Sequence, residues 1–174
     1  LQEWSVLIDW ARGTSTGPVA IGGSSLGALM SLLCADVSRH WPEQLRPQAM
    51  LLITHSGHQQ DALVRGALAR VWKAREAMAA AGWTSETSDR YLPILDPDWN
   101  TPPAIAPENI VSVLGRYDHV TPFESGLGLM DAWKVPDENR FLWRRGHFSV
   151  PMTMIRNDRP LHRFRDILDR LGPS

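Results

Sequence analysis

Three residues far apart in the chain have the types needed to break a carbonyl bond together: Ser25, Asp118 and His147. Ser25 is the centre of Gly23-Ser24-Ser25-Leu26-Gly27, a G-x-S-x-G pattern. The pattern follows the short apolar burst Val19-Ala20-Ile21 and runs into the apolar stretch Leu26 to Val37. A strand that turns at once into a helix forces the residue at the turn into a strained backbone. Small neighbours two positions away let the chain close there. The serine then stands exposed near a helix N-terminus, and the Leu26 backbone N–H becomes a candidate oxyanion donor. A serine hydroxyl needs a base, and that base needs an acid to orient it. Asp118 lies in Gly115-Arg116-Tyr117-Asp118-His119-Val120-Thr121-Pro122, just past the apolar run Ile110 to Leu114. His147 follows Gly146, just past Arg140 to Trp143. Ser25 is then the expected nucleophile, His147 its base and Asp118 the orienting acid.

Other candidates are weaker. His119 adjoins Asp118, and neighbours in a turn point apart. His55 and His58 follow Ala49 to Thr54, the second buried strand candidate, and Asp61 in the same stretch is a minor rival acid. With Trp72 and Trp99, the two histidines are candidate substrate-pocket residues. No carboxylate or third histidine falls at ligand spacing beside them, so no metal is expected. The single cysteine, Cys34, rules out an internal disulfide and a cysteine-cluster zinc site. No cofactor is implied.

The elements that must position these residues are short apolar strands alternating with helices. The strands are expected at Val19 to Ile21, Ala49 to Thr54, Ile110 to Leu114 and Arg140 to Trp143. Helices are expected over 2–11, 26–37, 124–133 and 161–171, the last with Leu161, Phe164, Ile167, Leu168 and Leu171 facing in. Residues 59–81 read as one long helix carrying Val64, Leu68, Val71, Trp72 and Met78 on one face. Residues 83–107 hold five prolines and read as irregular. Alternation of this kind predicts an α/β domain with a mostly parallel sheet of about four strands flanked by helices. In such sheets the chemistry gathers where the strands end.

These motifs together resemble the C-terminal half of an α/β-hydrolase. Gly23 to Gly27 resembles that family's nucleophile elbow. Gly115 to Asp118 with Pro122 resembles its acid turn, and Gly146-His147 its histidine turn. The resemblance spans nearly all of residues 1–174 as a single domain, with 58–106 where the family often inserts a helical cap. Trp72, Met78, Trp83, Leu92, Ile94 and Trp99 would then either roof the pocket or simply cover the sheet. The family's first strands, and the loop supplying a second oxyanion N–H, have no counterpart here. The resemblance therefore implies an N-terminally truncated unit whose open sheet edge pairs with a missing segment or with a second copy. It implies a serine hydrolase cleaving a small-molecule ester, thioester or lactone through an acyl-enzyme. The alternative is a non-catalytic module of the same fold that binds a ligand or partner.

Composition narrows the rest. Eighteen Lys and Arg against 19 Asp and Glu leave a formal net charge of −1. That offers no basic field for nucleic acid or a membrane surface. No apolar run reaches the roughly 18 residues of a membrane span. One unpaired cysteine leans towards a reducing, cytoplasmic compartment. Arg144 and Arg145 are expected to be solvated, and Cys34 to be a small core residue.

Overall fold

The computed structural model describes residues 2–71 and 73–172. Four strands form one sheet among the described residues: β1 (Ala20–Ser24), β2 (Ala49–Ile53), β3 (Ile110–Gly115) and β4 (Arg140–Trp143). They lie side by side in the order of the chain, and every pair is parallel. The register sets Ser24 opposite Ile53, Ile53 opposite Val113, and Gly115 opposite Trp143. All four strands thus end along one edge, and the loops that leave them share one face of the domain.

Helices cover both sides of the sheet. On one side α1 (Gln2–Thr14), α2 (Leu26–Ser38) and α6 (Phe123–Ala132) close over Met50, Leu52 and Ile110. Ile8, Leu32, Ala35, Leu129, Met130 and Trp133 fill that core. On the other side α8 (Arg159–Leu171) packs Ile167, Phe164, Leu168 and Leu171 against Ala49 and Val111. Beside it α7 (Ser149–Met154) packs Val150 and Met154 against Val113. Alternate residues of β2 and β3 therefore serve opposite cores, which is why both strands read as apolar runs, interrupted in β3 only by Ser112. β3 is buried along its whole length, whereas β1 is an edge strand with Gly22 and Ser24 exposed.

Four expectations change. The 59–81 helix is broken into a π turn (Asp61–Arg65), α3 (Ala67–Val71) and α4 (Ala74–Ala80). The break falls at Gly66, whose backbone is extended. A Cβ there would stand 2.6 Å from the Val120 carbonyl oxygen, and the Ala67 N–H donates to the His119 carbonyl. Docking onto the 118–122 turn thus overrides helical periodicity. Within 83–107 the chain forms α5 (Ser85–Tyr91), capped by the Thr84 hydroxyl accepting from the Thr87 N–H. Helix α7 lies outside the expected helices and contains Pro151. The proline falls in the first turn, where a missing N–H costs nothing. Leu161, at the start of α8, is 46% exposed and does not face in.

Candidate active site

The first loop is the turn from β1 into α2. Ser25 occupies it with φ 56° and ψ −114°, a left-handed backbone that a non-glycine residue adopts only under constraint. The constraint comes from both sides. The Ser25 N–H donates to the Ile53 carbonyl at 2.9 Å, and its carbonyl accepts the Leu29 N–H at 3.0 Å. The turn is tight enough that a Cβ on Gly23 would lie 2.4 Å from the Gly27 carbonyl carbon. Leu26 is the first residue of α2, so its N–H belongs to the helix's unpaired first turn.

The second and third loops are laced together. Arg116 donates its N–H to the Trp143 carbonyl at 2.7 Å, and Tyr117 to the Arg145 carbonyl at 3.0 Å. These bonds continue the β3–β4 ladder past the strand ends and carry Asp118 beside His147. In the third loop the Ser149 and Val150 N–H groups both donate to the Gly146 carbonyl at 3.1 Å, which closes the turn holding His147.

The structure brings Ser25, His147 and Asp118 into one chain of contacts. His147 Nε2 lies 2.9 Å from Ser25 Oγ, and His147 Nδ1 lies 2.8 Å from Asp118 Oδ2. The side chains of His147 and Asp118 are 5% and 2% exposed. Asp118 Oδ1 accepts the N–H groups of Val120 at 2.8 Å and Thr121 at 2.9 Å. Burial alone would raise the Asp118 carboxyl. The hydrogen bond and charge of His147 and the backbone bonds from Thr121 and Val120 outweigh it and hold the carboxyl below its ordinary range.

Two residues that sequence reasoning missed complete the arrangement. Thr121 places its hydroxyl 2.9 Å from Asp118 Oδ2, 3.1 Å from the Thr54 carbonyl oxygen and 3.2 Å from His147 Nδ1. Thr54, buried at the end of β2 with φ 50°, stands with its hydroxyl 3.2 Å from that of Ser24. A threonine three residues after a turn aspartate was the available signal for Thr121, since such hydroxyls fold back on the carboxylate.

The remaining candidates lie elsewhere. His55 is a core residue and does not line the pocket. It is 1% exposed, its Nε2 is 2.8 Å from Ser112 Oγ, and burial pushes its ring down to about 3. His58 stacks on Trp99 with ring centroids 4.3 Å apart, while its Nδ1 lies 3.0 Å from Asp96 Oδ2. Both rings border a hollow with Arg70, His119 and Glu124, separate from the cavity at Ser25. Trp72 lies outside the described residues. Asp61 pairs with Arg65 at 3.1 Å, and His119 is exposed. Arg144 and Arg145 are exposed. Cys34 is buried in the core, which pushes its thiol up to about 11.

The cavity at Ser25 holds about 340 Å³. Leu26, Leu29, Ala62, Leu63, Ala69 and Val120 form its apolar wall. Among the described residues of the expected roof, Met78, Trp83, Leu92, Ile94 and Trp99 do not line this cavity: Ile94 is 72% exposed, Leu92 is buried, and Trp83 packs edge-on against Tyr91. Trp99 instead packs on the core and donates its ring N–H to the Gly57 carbonyl at 3.0 Å. Among the described residues no group of three His, Cys, Asp or Glu is placed to hold a metal ion. No helix among them is long and apolar enough to cross a membrane.

Neither a protein-family model nor a curated protein matches the sequence. Solved structures do match. One is an α/β-hydrolase enzyme from the metagenome of sediments of the Mar Chica lagoon, Morocco. It has a TM-score of 0.51 and 21% identity over 95% of this chain and 69% of that one. Another is the acylaminoacyl peptidase of Pyrococcus horikoshii, with a TM-score of 0.51 and 12% identity. That match covers 87% of this chain and 22% of the peptidase. Likeness at these identities speaks to the fold alone. Four parallel strands in one sheet, with helices on both faces, give this chain a partial α/β-hydrolase fold.

Proposed function

We propose that the chain is a serine hydrolase that cleaves a carboxylic ester, thioester or lactone through an acyl-enzyme. The observation that carries the reading is one buried histidine set 2.9 Å from Ser25 Oγ on one side and 2.8 Å from Asp118 Oδ2 on the other. In this reading His147 holds its proton on Nδ1, where Asp118 accepts it, and leaves Nε2 free as a base. Ser25 Oγ attacks the carbonyl carbon as its proton passes to Nε2. The Leu26 N–H stabilises the oxyanion, a contribution worth on the order of 10²–10³ in rate where such a donor has been removed. The tetrahedral intermediate collapses, the C–O bond to the alcohol breaks, and Nε2 returns its proton to the departing oxygen. Water then attacks the acyl-enzyme, giving its proton to Nε2. The acid leaves, and Ser25 recovers its proton. Residues 58–106 act as the cap of this site within a single domain.

A fluorophosphonate mimics the tetrahedral intermediate at an activated serine. Peptide mass spectrometry after treatment of the full-length protein is expected to find the adduct on Ser25. Ser25→Ala and His147→Ala are both expected to abolish it. A folded protein whose Ser25 stays unlabelled would overturn the enzyme reading and leave a binding module on the same fold.

A further inference from the structure

We infer that the cavity at Ser25 is an acyl site for an unbranched aliphatic chain of about six to ten carbons, an inference that rests on Ser25 acting as the nucleophile. Ser25 lines the cavity together with Leu26, on whose backbone N–H the oxyanion would rest. His147 does not line it. A leaving alcohol must lie within reach of His147 Nε2 to receive its proton, so it departs on that side. The acyl group stays bonded to Ser25 Oγ and fills the space that opens from Ser25 itself.

The chemistry of the wall selects the chain. No charged residue lines the cavity. Its polar neighbours are engaged within the protein. The Ser56 hydroxyl donates towards the His58 carbonyl, the Gln59 amide donates to the Ser56 carbonyl, and the Thr121 hydroxyl is held by Asp118 and Thr54. An acyl group bearing an amino, carboxylate or sugar substituent would lose its hydration there without a charged partner. A volume of 340 Å³, at roughly 30 Å³ per non-hydrogen atom, holds about eleven such atoms, the carbonyl oxygen included. Two alanines, Ala62 and Ala69, are the smallest side chains of the wall, so larger ones there would take up its room. Both come from the segment broken at Gly66, so the break that docks this segment on the 118–122 turn also opens the room.

The test is a series of p-nitrophenyl esters, from acetate to hexadecanoate, on the full-length protein. The leaving group is constant, so only the acyl chain varies. Each buried methylene is expected to raise kcat/KM about fourfold until the cavity is full. Octanoate should therefore exceed acetate at least 100-fold, with a decline beyond about ten carbons. Ala62→Phe is expected to lower the octanoate-to-acetate ratio of kcat/KM at least tenfold, and Ala69→Leu provides the same reading if the first variant does not fold. A flat series on a protein that turns over acetate overturns the acyl site and leaves the nucleophile intact. So does a rise that continues past dodecanoate and ignores both substitutions. Absence of turnover for every ester, with Ser25 unlabelled by fluorophosphonate, overturns the nucleophile and the acyl site together.

Discussion

Thr121 holds both carboxylate oxygens of Asp118: its backbone N–H lies 2.9 Å from Oδ1, and its hydroxyl lies 2.9 Å from Oδ2. The same hydroxyl is 3.1 Å from the Thr54 carbonyl, so the acid is tied to the end of β2 as well as to its own turn. Thr121 also borders the cavity at Ser25, but its hydroxyl is a positioning group in the proposed chemistry, because it acts on the reacting atoms through Asp118 and His147. Thr121→Val keeps the volume and the N–H but loses the hydroxyl. A lost bond to a buried charged group costs about 1.5–3 kcal/mol. The expected outcome is a fall in kcat of about tenfold or more with little change in KM, rescued by Thr121→Ser. Steady-state kinetics of the three proteins checks it.

The two glycines of the elbow are not equivalent. A Cβ on Gly23 would collide with the Gly27 backbone at 2.4–2.8 Å, whereas a Cβ on Gly27 meets nothing within 4 Å. Gly23→Ala must open the turn and is expected to destabilise the fold by about 3 kcal/mol or more, as other backbone clashes at special positions do. Gly27→Ala sits inside α2 and is expected to stabilise by about 0.5–1 kcal/mol through helix propensity. Urea unfolding of both variants decides between this asymmetry and a shared need for glycine.

The backbone of Ser25 stores strain that a glycine would release. A non-glycine residue in a sparsely populated region costs on the order of 1–3 kcal/mol. Glycine gives back about 0.5–1 kcal/mol of that through the unfolded chain. Ser25→Gly is therefore expected to raise the melting temperature by a few degrees while abolishing fluorophosphonate labelling. Ser25→Ala, which keeps the Cβ, should gain less. Differential scanning calorimetry of the two variants separates the effects.

Acid should weaken the fold in two successive windows. Burial holds His55 at about 3 against an ordinary 6.5. Between those values the unfolded chain binds a proton that the folded chain refuses, so stability falls as the pH drops from about 6.5 towards 3. The slope is at most about 1.4 kcal/mol per pH unit. Asp118 acts lower. Its folded carboxyl lies below the ordinary 3.8, so its contribution is present above 3.8 and is lost as the pH falls through the folded value. His55→Asn is expected to flatten the dependence between pH 6.5 and 4, while Asp118→Asn changes it only below about 4. Urea midpoints measured from pH 8 down to about pH 2 give both comparisons.

The strands, and the order of the reactive residues along the chain, are legible from local pattern. Ala49 to Ile53 and Ile110 to Gly115 are apolar on both faces because each strand serves two cores, and that local pattern is visible without a fold. The G-x-S-x-G between strand and helix marked Ser25, and the turns after two further strands marked Asp118 and His147, because strand ends and turn glycines are local signals. Which groups touch depends on contacts between distant segments. Helical periodicity over 59–81 gave way at Gly66, where the chain had to clear the Val120 carbonyl. The cavity wall came from Ala62, Leu63 and Ala69, while Trp99 went to the core and His55 to Ser112. Thr121 met Thr54, 67 residues away, through a carbonyl that the left-handed backbone at Thr54 accompanies. Contacts of this kind depend on how separate loops converge at one sheet edge, and no pattern within a single loop records that convergence.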